Sequence, residues 1–239
     1  MTEIVLRSHF APEQVVSLTC DYPMDSDSGA SHPGQDLLEM WWNGTMQSLP
    51  REWVFFTIAL PAPIPFEMNI DYDKDTMQGL ISLEGLYNGP WNDAVIESVR
   101  NVLDFRPDDQ ITCAFENHSS FLGWHKTRWF GAVPVPMRDY MATSFAQPGF
   151  DAVELAGVVA DTLRSVSSDS MNSFFAIQAG GAVGDVGADD TAISPLFRNA
   201  EMIMETDANW LTQLGDGEQV AWTQATGDAV AAVIGMGGA

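Results

Sequence analysis

Glu201 and Glu205 stand on either side of Ile203 in the run Asn199-Ala200-Glu201-Met202-Ile203-Met204-Glu205-Thr206. Side chains alternate along a strand, so a strand over 199–206 puts both carboxylates and Ile203 on one face. Burying an unpaired carboxylate is unfavourable. Such a face is therefore either a solvated one or the wall of a wet cleft. In a partly apolar cleft a carboxyl group holds its proton more tightly and can serve as a base. The residues alone leave both readings open.

The other chemistry-bearing residues are sparser. The histidines, His9, His32, His118 and His125, share no metal-ligand spacing. His118 and His125 flank Trp124 in a segment rich in aromatics (Phe121, Trp124, Trp129, Phe130). A pocket role there competes with a structural one. Gly180-Gly181-Ala182-Val183-Gly184 is glycine-rich but lies between two strand-like runs, which suits a strand break better than a phosphate cradle. No P-loop, G-x-G-x-x-G before a helix, G-x-S-x-G or H-E-x-x-H occurs. Cys20 and Cys113 form no C-x-x-C pair and are read as buried small apolar residues, without a disulfide.

Several elements must position these residues. Strands are expected at Ile4–Phe10, Val15–Cys20, Trp53–Leu60, Leu80–Tyr87, Asp109–Phe115, Ser173–Gln178, Ala182–Val186 and Asn199–Thr206. Helical spacing occurs at Gln35–Gln47, Trp91–Leu103, Phe150–Arg164 and Glu218–Ile234. The stretch Glu116–Pro136 reads as irregular. Strands and helices are interspersed without a βαβ rhythm. The expected fold is α+β, a mostly antiparallel sheet with helices packed on one face.

The block from Ala179 to Trp210 carries a resemblance. Gly180-Gly181-Ala182-Val183, then Ala188-Asp189-Asp190-Thr191-Ala192, then Arg198-Asn199-Ala200 and finally Trp210 resemble the pattern GGA[IV]xxVxxxxTAFxHRxA…W of flavin-linked oxidoreductases of the berberine-bridge-enzyme type. Ile193-Ser194-Pro195-Leu196-Phe197-Arg198 departs from it, being longer than the family's Phe-Pro-His-Arg and lacking the histidine. Ile4–Phe10 is similar to the strand that follows the family's flavin domain, and Leu80–Phe105 to a βα unit of its substrate domain.

The resemblance implies that residues 1–239 form a single substrate-binding-type domain, cut at both ends relative to the family. The family's G-G-x-H flavin loop has no match, and the chain stops about where its Tyr-x-Asn segment would begin. FAD, the family's cofactor, is then not expected to be bound by this chain alone, and a separate FAD-binding subunit is a possible partner. The substrate would be a small organic alcohol, sugar or phenol, oxidised by hydride transfer to FAD. The resemblance implies Glu205 as base or substrate-orienting acid, and Gln178 as a hydrogen-bonding group toward substrate. Trp124, Trp129, Phe130, Ile203 and His118 would bind substrate, the aromatics as apolar walls. Two other readings compete: a stand-alone small-molecule-binding protein or cofactor-free enzyme that has lost redox chemistry, and a product without activity. A surface left without its flavin domain also admits a homo-oligomer.

Composition sets the outer bounds. The chain has 239 residues, 46% of them hydrophobic, and eight tryptophans, enough for one sizeable core. Its apolar runs are too short for a membrane-spanning helix, and Met1–Arg7 reads as a strand rather than a leader, so a cytoplasmic protein is expected. The net charge is −23, and Lys74 and Lys126 are the only lysines. That field repels nucleic acid and anionic membrane. Acid spread along the whole chain with scarce lysine matches adaptation to high internal salt, where screening suppresses self-repulsion. Thermal melts should accordingly shift upward from dilute buffer to molar potassium chloride; a melting temperature no lower in dilute buffer would remove the high-salt reading.

Overall fold

The computed structural model describes residues 13–25, 31–61, 79–103, 112–124, 138–166, 171–179 and 194–235. In chain order the elements are β1 (Val15–Pro23), α1 (Pro33–Met40), α2 (Met46–Ser48), β2 (Trp53–Leu60), β3 (Leu80–Tyr87), α3 (Asp93–Leu103) and β4 (Thr112–His118). They continue with β5 (Arg138–Ala146), α4 (Ala152–Arg164), β6 (Met171–Gln178), α5 (Pro195–Asn199), β7 (Met202–Trp210) and α6 (Asp216–Val233). The strands form one seven-stranded sheet in the order β4-β1-β3-β2-β6-β7-β5. Every pairing is antiparallel. The α+β architecture with helices on one face is the one expected from the sequence.

Strand alternation builds the core. Trp53, Phe55, Thr57 and Ala59 of β2, Val16, Leu18, Cys20 and Tyr22 of β1, and Met202, Met204, Thr206 and Ala208 of β7 are all buried. The hydrophobic ones join the apolar faces of α1, α3, α4 and α6 in a single cluster, through residues such as Leu38, Ile96, Leu155, Val159 and Val230. Aromatics fill its centre. The Trp41 ring meets Phe55 edge-on at 4.9 Å, and Trp53 stacks on Phe55 at 5.2 Å. Each such pair adds roughly 0.5–1.5 kcal/mol beyond area burial. Their bulk explains Gly85 on the neighbouring strand, where a Cβ would lie 2.7 Å from the Phe55 ring.

Local chemistry sets the element ends. Asp151 caps α4, its Oδ1 accepting from the backbone N–H groups of Val153 and Glu154 at 3.0 Å each. Ser194 caps α5, and Pro195 opens it. Trp210 ends β7 and donates from Nε1 to Asp216 Oδ1 at 2.8 Å, and the Arg138 guanidinium forks onto the same carboxylate at 2.5 and 2.7 Å. The tryptophan of the sequence motif thus fastens β7 and β5 to the start of α6.

Several expectations need correction. The single helix over Gln35–Gln47 is interrupted at Asn43 and Gly44, where Gly44 takes φ 84°, open to glycine but strained for other residues. The last strand begins at Met202 rather than Asn199, because Ser194 and Pro195 start a short helix over Pro195–Asn199. Of the strand expected at Asp109–Phe115, residues 109–111 lie outside the described residues and the rest belongs to β4, which runs on to His118, so the stretch expected to be irregular from Glu116 opens with the end of a strand and then a helical turn over 121–124. β5 was not expected; it is an edge strand, exposed through its first four residues and without marked apolar alternation. Cys20 and Cys113 form a disulfide, contrary to the expectation of two free thiols. They are direct partners in the β1–β4 ladder, with Cα atoms 4.1 Å apart although 93 residues separate them in sequence. The expected strands Ile4–Phe10 and Ala182–Val186, the motif residues 180–193, His9, His125, Trp129 and Phe130 lie outside the described residues.

A polar tie joins the end of β1 to α4. Arg164 donates to Asp25 from Nε at 3.0 Å and from the guanidinium tip at 2.7 Å, and His32 Nδ1 stands 2.5 Å from the same carboxylate. The Asp25 side chain is 9% exposed. Hydrogen bonds from Arg164 hold its carboxyl below the usual range, with His32 and the Arg164 charge assisting and burial opposing. A depressed folded-state pKa contributes stability above the ordinary value near 4, lost as pH falls through the folded-state value. Asp25→Asn should lower the unfolding free energy by roughly 1–2 kcal/mol at pH 7. The gap should close toward pH 2, and a gap of equal size at both pH values in urea titrations would refute the ion-pair account.

Candidate functional site

The helices cover one face of the sheet and leave β7 with two unlike sides. Met202, Met204, Thr206, Ala208 and Trp210 are buried beneath the helices, whereas Ile203, Glu205, Asp207 and Asn209 are half-buried on the far face. Register extends that far face across the sheet. One row runs Thr19, Glu84, Phe56, Ile177, Ile203 and Phe145. The adjacent row runs Asp21, Ser82, Ile58, Phe175, Glu205 and Thr143. A third, at the β6–β7–β5 end, is Ser173, Asp207 and Met141. Glu205 therefore sits between an aromatic ring and a hydroxyl, with Ile203 before it and Asp207 after it on the same strand face.

Asp207 is the most perturbed acid. Its pKa is pushed up to about 7, first by burial, then by a hydrogen bond and charge repulsion from Asp139, with Glu205 adding repulsion. Asn209 works against this, donating from Nδ2 to Asp207 Oδ2 at 2.8 Å. The other oxygen, Oδ1, is buried without a hydrogen-bond donor. Asp139 lies opposite Asn209 on β5, one position along the same face. A second carboxyl group close by makes the ionised form of Asp207 costlier, so Asp207 titrates near neutrality rather than in the ordinary carboxylate range. Burial also raises Glu201 at the head of β7.

The structure brings together some of the sequence candidates and separates others. Glu205 and Ile203 share the far face, as alternation requires. Gln178 does not join them: it pairs with Met202, whose side chain is buried beneath the helices, and so points to the opposite side of the sheet. Its Oε1 is buried there without a partner. His118 is on the far face but at the other edge, five strands from β7, about 24 Å at ordinary strand spacing. Its Nε2 is 2.7 Å from Ser17 Oγ and 3.8 Å from Glu116 Oε2, so it ties β4 to β1. Trp124 is buried in the helical turn after β4, its ring 5.5 Å from that of Phe121. Asp207 was missed, although it continues the alternation from Glu201 through Glu205. Asp139 had no such signal, because the strand that carries it was not anticipated.

No family model matches the chain, and no curated protein sequence does. Solved structures do. Over 94% of this chain it superimposes on 45% of Physcomitrella patens BBE-like 1, with a TM-score of 0.67 and 16% identity. Glucooligosaccharide oxidase from Acremonium strictum, with its 6-S-cysteinyl, 8α-N1-histidyl FAD, matches over 92% of this chain and 44% of its own, at TM-score 0.67 and 14% identity. The VAO-type flavoprotein MtVAO713 from Myceliophthora thermophila C1 matches over 95% and 40%, at TM-score 0.63 and 14% identity. The chain has the fold of part of a berberine-bridge-type flavoprotein. It spans less than half the length of the solved structures it matches. At these identities the likeness establishes a berberine-bridge-type fold and nothing finer.

Only part of the far face's chemistry suits FAD. Its apolar rows (Phe56, Ile58, Phe175, Ile177, Ile203) suit one side of a flat ring. Its ionisable residues do not suit a diphosphate: among the described residues of that face they are Asp21, Glu84, Glu116, His118, Asp139, Glu205 and Asp207, with no lysine or arginine. Anion sites are built from cations and N–H nests. These residues therefore do not hold a dinucleotide. Among the described residues no group of acids, histidines or cysteines is placed to hold a metal ion, and no helix is long and apolar enough to cross a membrane.

The raised Asp207 pKa fixes a sign for stability. The folded state keeps a proton that the unfolded chain releases near pH 4, so this contribution is present below pH 4 and is lost as pH rises to about 7. Asp207→Asn should gain on the wild type by about 1–2 kcal/mol between pH 5 and pH 8. Denaturant titrations at both pH values check it, and a difference that does not change with pH removes the raised pKa of Asp207.

Proposed function

We propose that the chain is the substrate-covering part of a flavin-linked oxidoreductase that oxidises a small organic alcohol, sugar or phenol, with FAD held by residues outside the described face or by a separate subunit. The observation that carries this reading is the line of Glu205, Asp207 and Asp139 beside Phe175, Ile177 and Ile203 on the face the helices leave uncovered. The berberine-bridge-type fold supports it. FAD, held outside the described face, would supply the hydride acceptor. This chain's residues supply the rest.

The apolar rows pack against the carbon skeleton of the substrate and displace water from it. Glu205 Oε1 or Oε2 accepts the hydroxyl proton as the substrate is oxidised. Asp207 beside it, its pKa pushed up to about 7, is partly protonated at neutral pH, which limits the negative charge facing Glu205. Thr143, opposite Glu205 on β5, is placed to orient the acid or the substrate hydroxyl.

A stand-alone binding protein, or a cofactor-free enzyme, is the second reading. It is favoured by one observation, the lack of any fit for a diphosphate on the described far face. A titration separates the two. Joined to its FAD-bearing part, the chain should reduce flavin with substrate, and Glu205→Gln should slow that step at least about tenfold. The isolated chain should bind FAD weakly. Unchanged flavin reduction in the variant would remove Glu205 from the mechanism, and tight FAD binding by the chain alone would overturn the division of labour.

A further inference from the structure

β4 is the least supported strand of the sheet. It lies at the end of the strand order and, among the described residues, pairs with β1 alone. Residues 113, 114, 116 and 117 are exposed. Its remaining ties are the contact of His118 with Ser17 at 2.7 Å, the Arg100 guanidinium 5.1 Å over the Phe115 ring, and the disulfide from Cys113 to Cys20. The two sulfur-bearing residues differ sharply in environment: Cys20 is fully buried in the core, and Cys113 is exposed on the edge strand.

We infer that the Cys20–Cys113 disulfide is a reversible modification site at which a dithiol reductant releases β4, together with the helical turn at 121–124, from an otherwise intact sheet. The asymmetry directs the chemistry. A thiolate of the reductant reaches the exposed partner and attacks Cys113 Sγ; the disulfide bond breaks, and Cys20 leaves as a thiolate that takes up a proton. The second thiol of the reductant then attacks its own sulfur in the mixed disulfide, which frees Cys113 as a thiol. The reductant ends as a disulfide and the protein as two thiols, so two electrons and two protons have moved to the protein. Reoxidation reverses each step.

Confinement of the effect follows from the topology. β1 keeps its full ladder to β3, so the sheet from β1 to β5 does not depend on β4. Local opening draws on elements with few buried contacts and exposed hydrogen bonds, which describes β4 and not β6 or β7. The consequence reaches His118, the last residue of β4, and Trp124, which follows the strand. The inference does not depend on the flavin reading, because no residue of the Glu205 cluster takes part.

The experiment uses the whole chain, purified without reductant in buffer of high salt. Thiols are counted by alkylation and intact mass before and after dithiothreitol, and tryptophan fluorescence and hydrogen exchange are followed in parallel. The expected result is no reactive thiol at first, then two after treatment with the native fluorescence kept. Exchange over 112–124 should rise at least roughly tenfold and that of 171–178 and 202–210 should not change. Oxidised dithiothreitol should restore the starting pattern. The double variant Cys20→Ala/Cys113→Ala should exchange like the reduced protein; should it fail to fold, reduction of the wild type remains the deciding measurement. Free thiols in the untreated protein, reduction that occurs only with global unfolding, or unchanged exchange in β4 would each overturn the inference.

Discussion

One-sided helix packing governs the molecule. Strand alternation gives every strand two faces, and the helices α1, α3, α4 and α6 bury only one of them. The far face must then be satisfied by other means. In β7 the outcome is visible residue by residue: Met202, Met204 and Ala208 enter the core, and Ile203, Glu205, Asp207 and Asn209 alternate with them on the uncovered side. A shift of one residue in the β6–β7 register would exchange these sets and place three polar side chains under α6. The packing of the core and the chemistry of the far face are therefore one constraint, fixed by the same register.

Electrostatics on that face follow from the same geometry. A chain with a net charge of −23 has many carboxylates, and most are solvated. Asp207 differs because the sheet half-buries it and β5 brings Asp139 alongside. Burial and repulsion act in the same direction, and the single hydrogen bond from Asn209 does not offset them. By contrast Asp25, bonded by Arg164, and Asp216, bonded by the Trp210 indole and then by Arg138, are held below the ordinary carboxylate range. The same residue type thus behaves in opposite ways, ionised where a guanidinium forks onto it and harder to ionise where burial and another acid outweigh a single amide hydrogen bond.

The sequence disclosed what is local and concealed what is register. The alternation around Ile203 reads directly as a strand face, and the apolar stripe of α3 as a helix. Ser194 and Pro195 also announce a helix start, which moves the beginning of β7 to Met202, and that signal was available. Three other features were not. The side on which Gln178 lies depends on its pairing with Met202, which no local pattern specifies. β5 has the weak alternation of an exposed edge strand, so Asp139 could not be placed beside Asp207. Cys20 and Cys113 are 93 residues apart in sequence, and only the antiparallel ladder between β1 and β4 makes them partners.

The two edges of the sheet divide the work between them. At one edge β5 adds Asp139 and Thr143 to the face that β7 began, and Arg138 and Trp210 clamp the start of α6 against it through Asp216. That edge is tied to a helix and to the carboxyl cluster at once, so its geometry is held from both sides of the sheet. At the other edge, among the described residues, β4 pairs with β1 alone and is fastened by a covalent bond, a histidine contact and a cation–π contact. A rigid edge suits carboxyl groups whose mutual separation sets the proton affinity of Asp207. An edge held by a reducible bond suits a segment whose attachment can change without disturbing that separation.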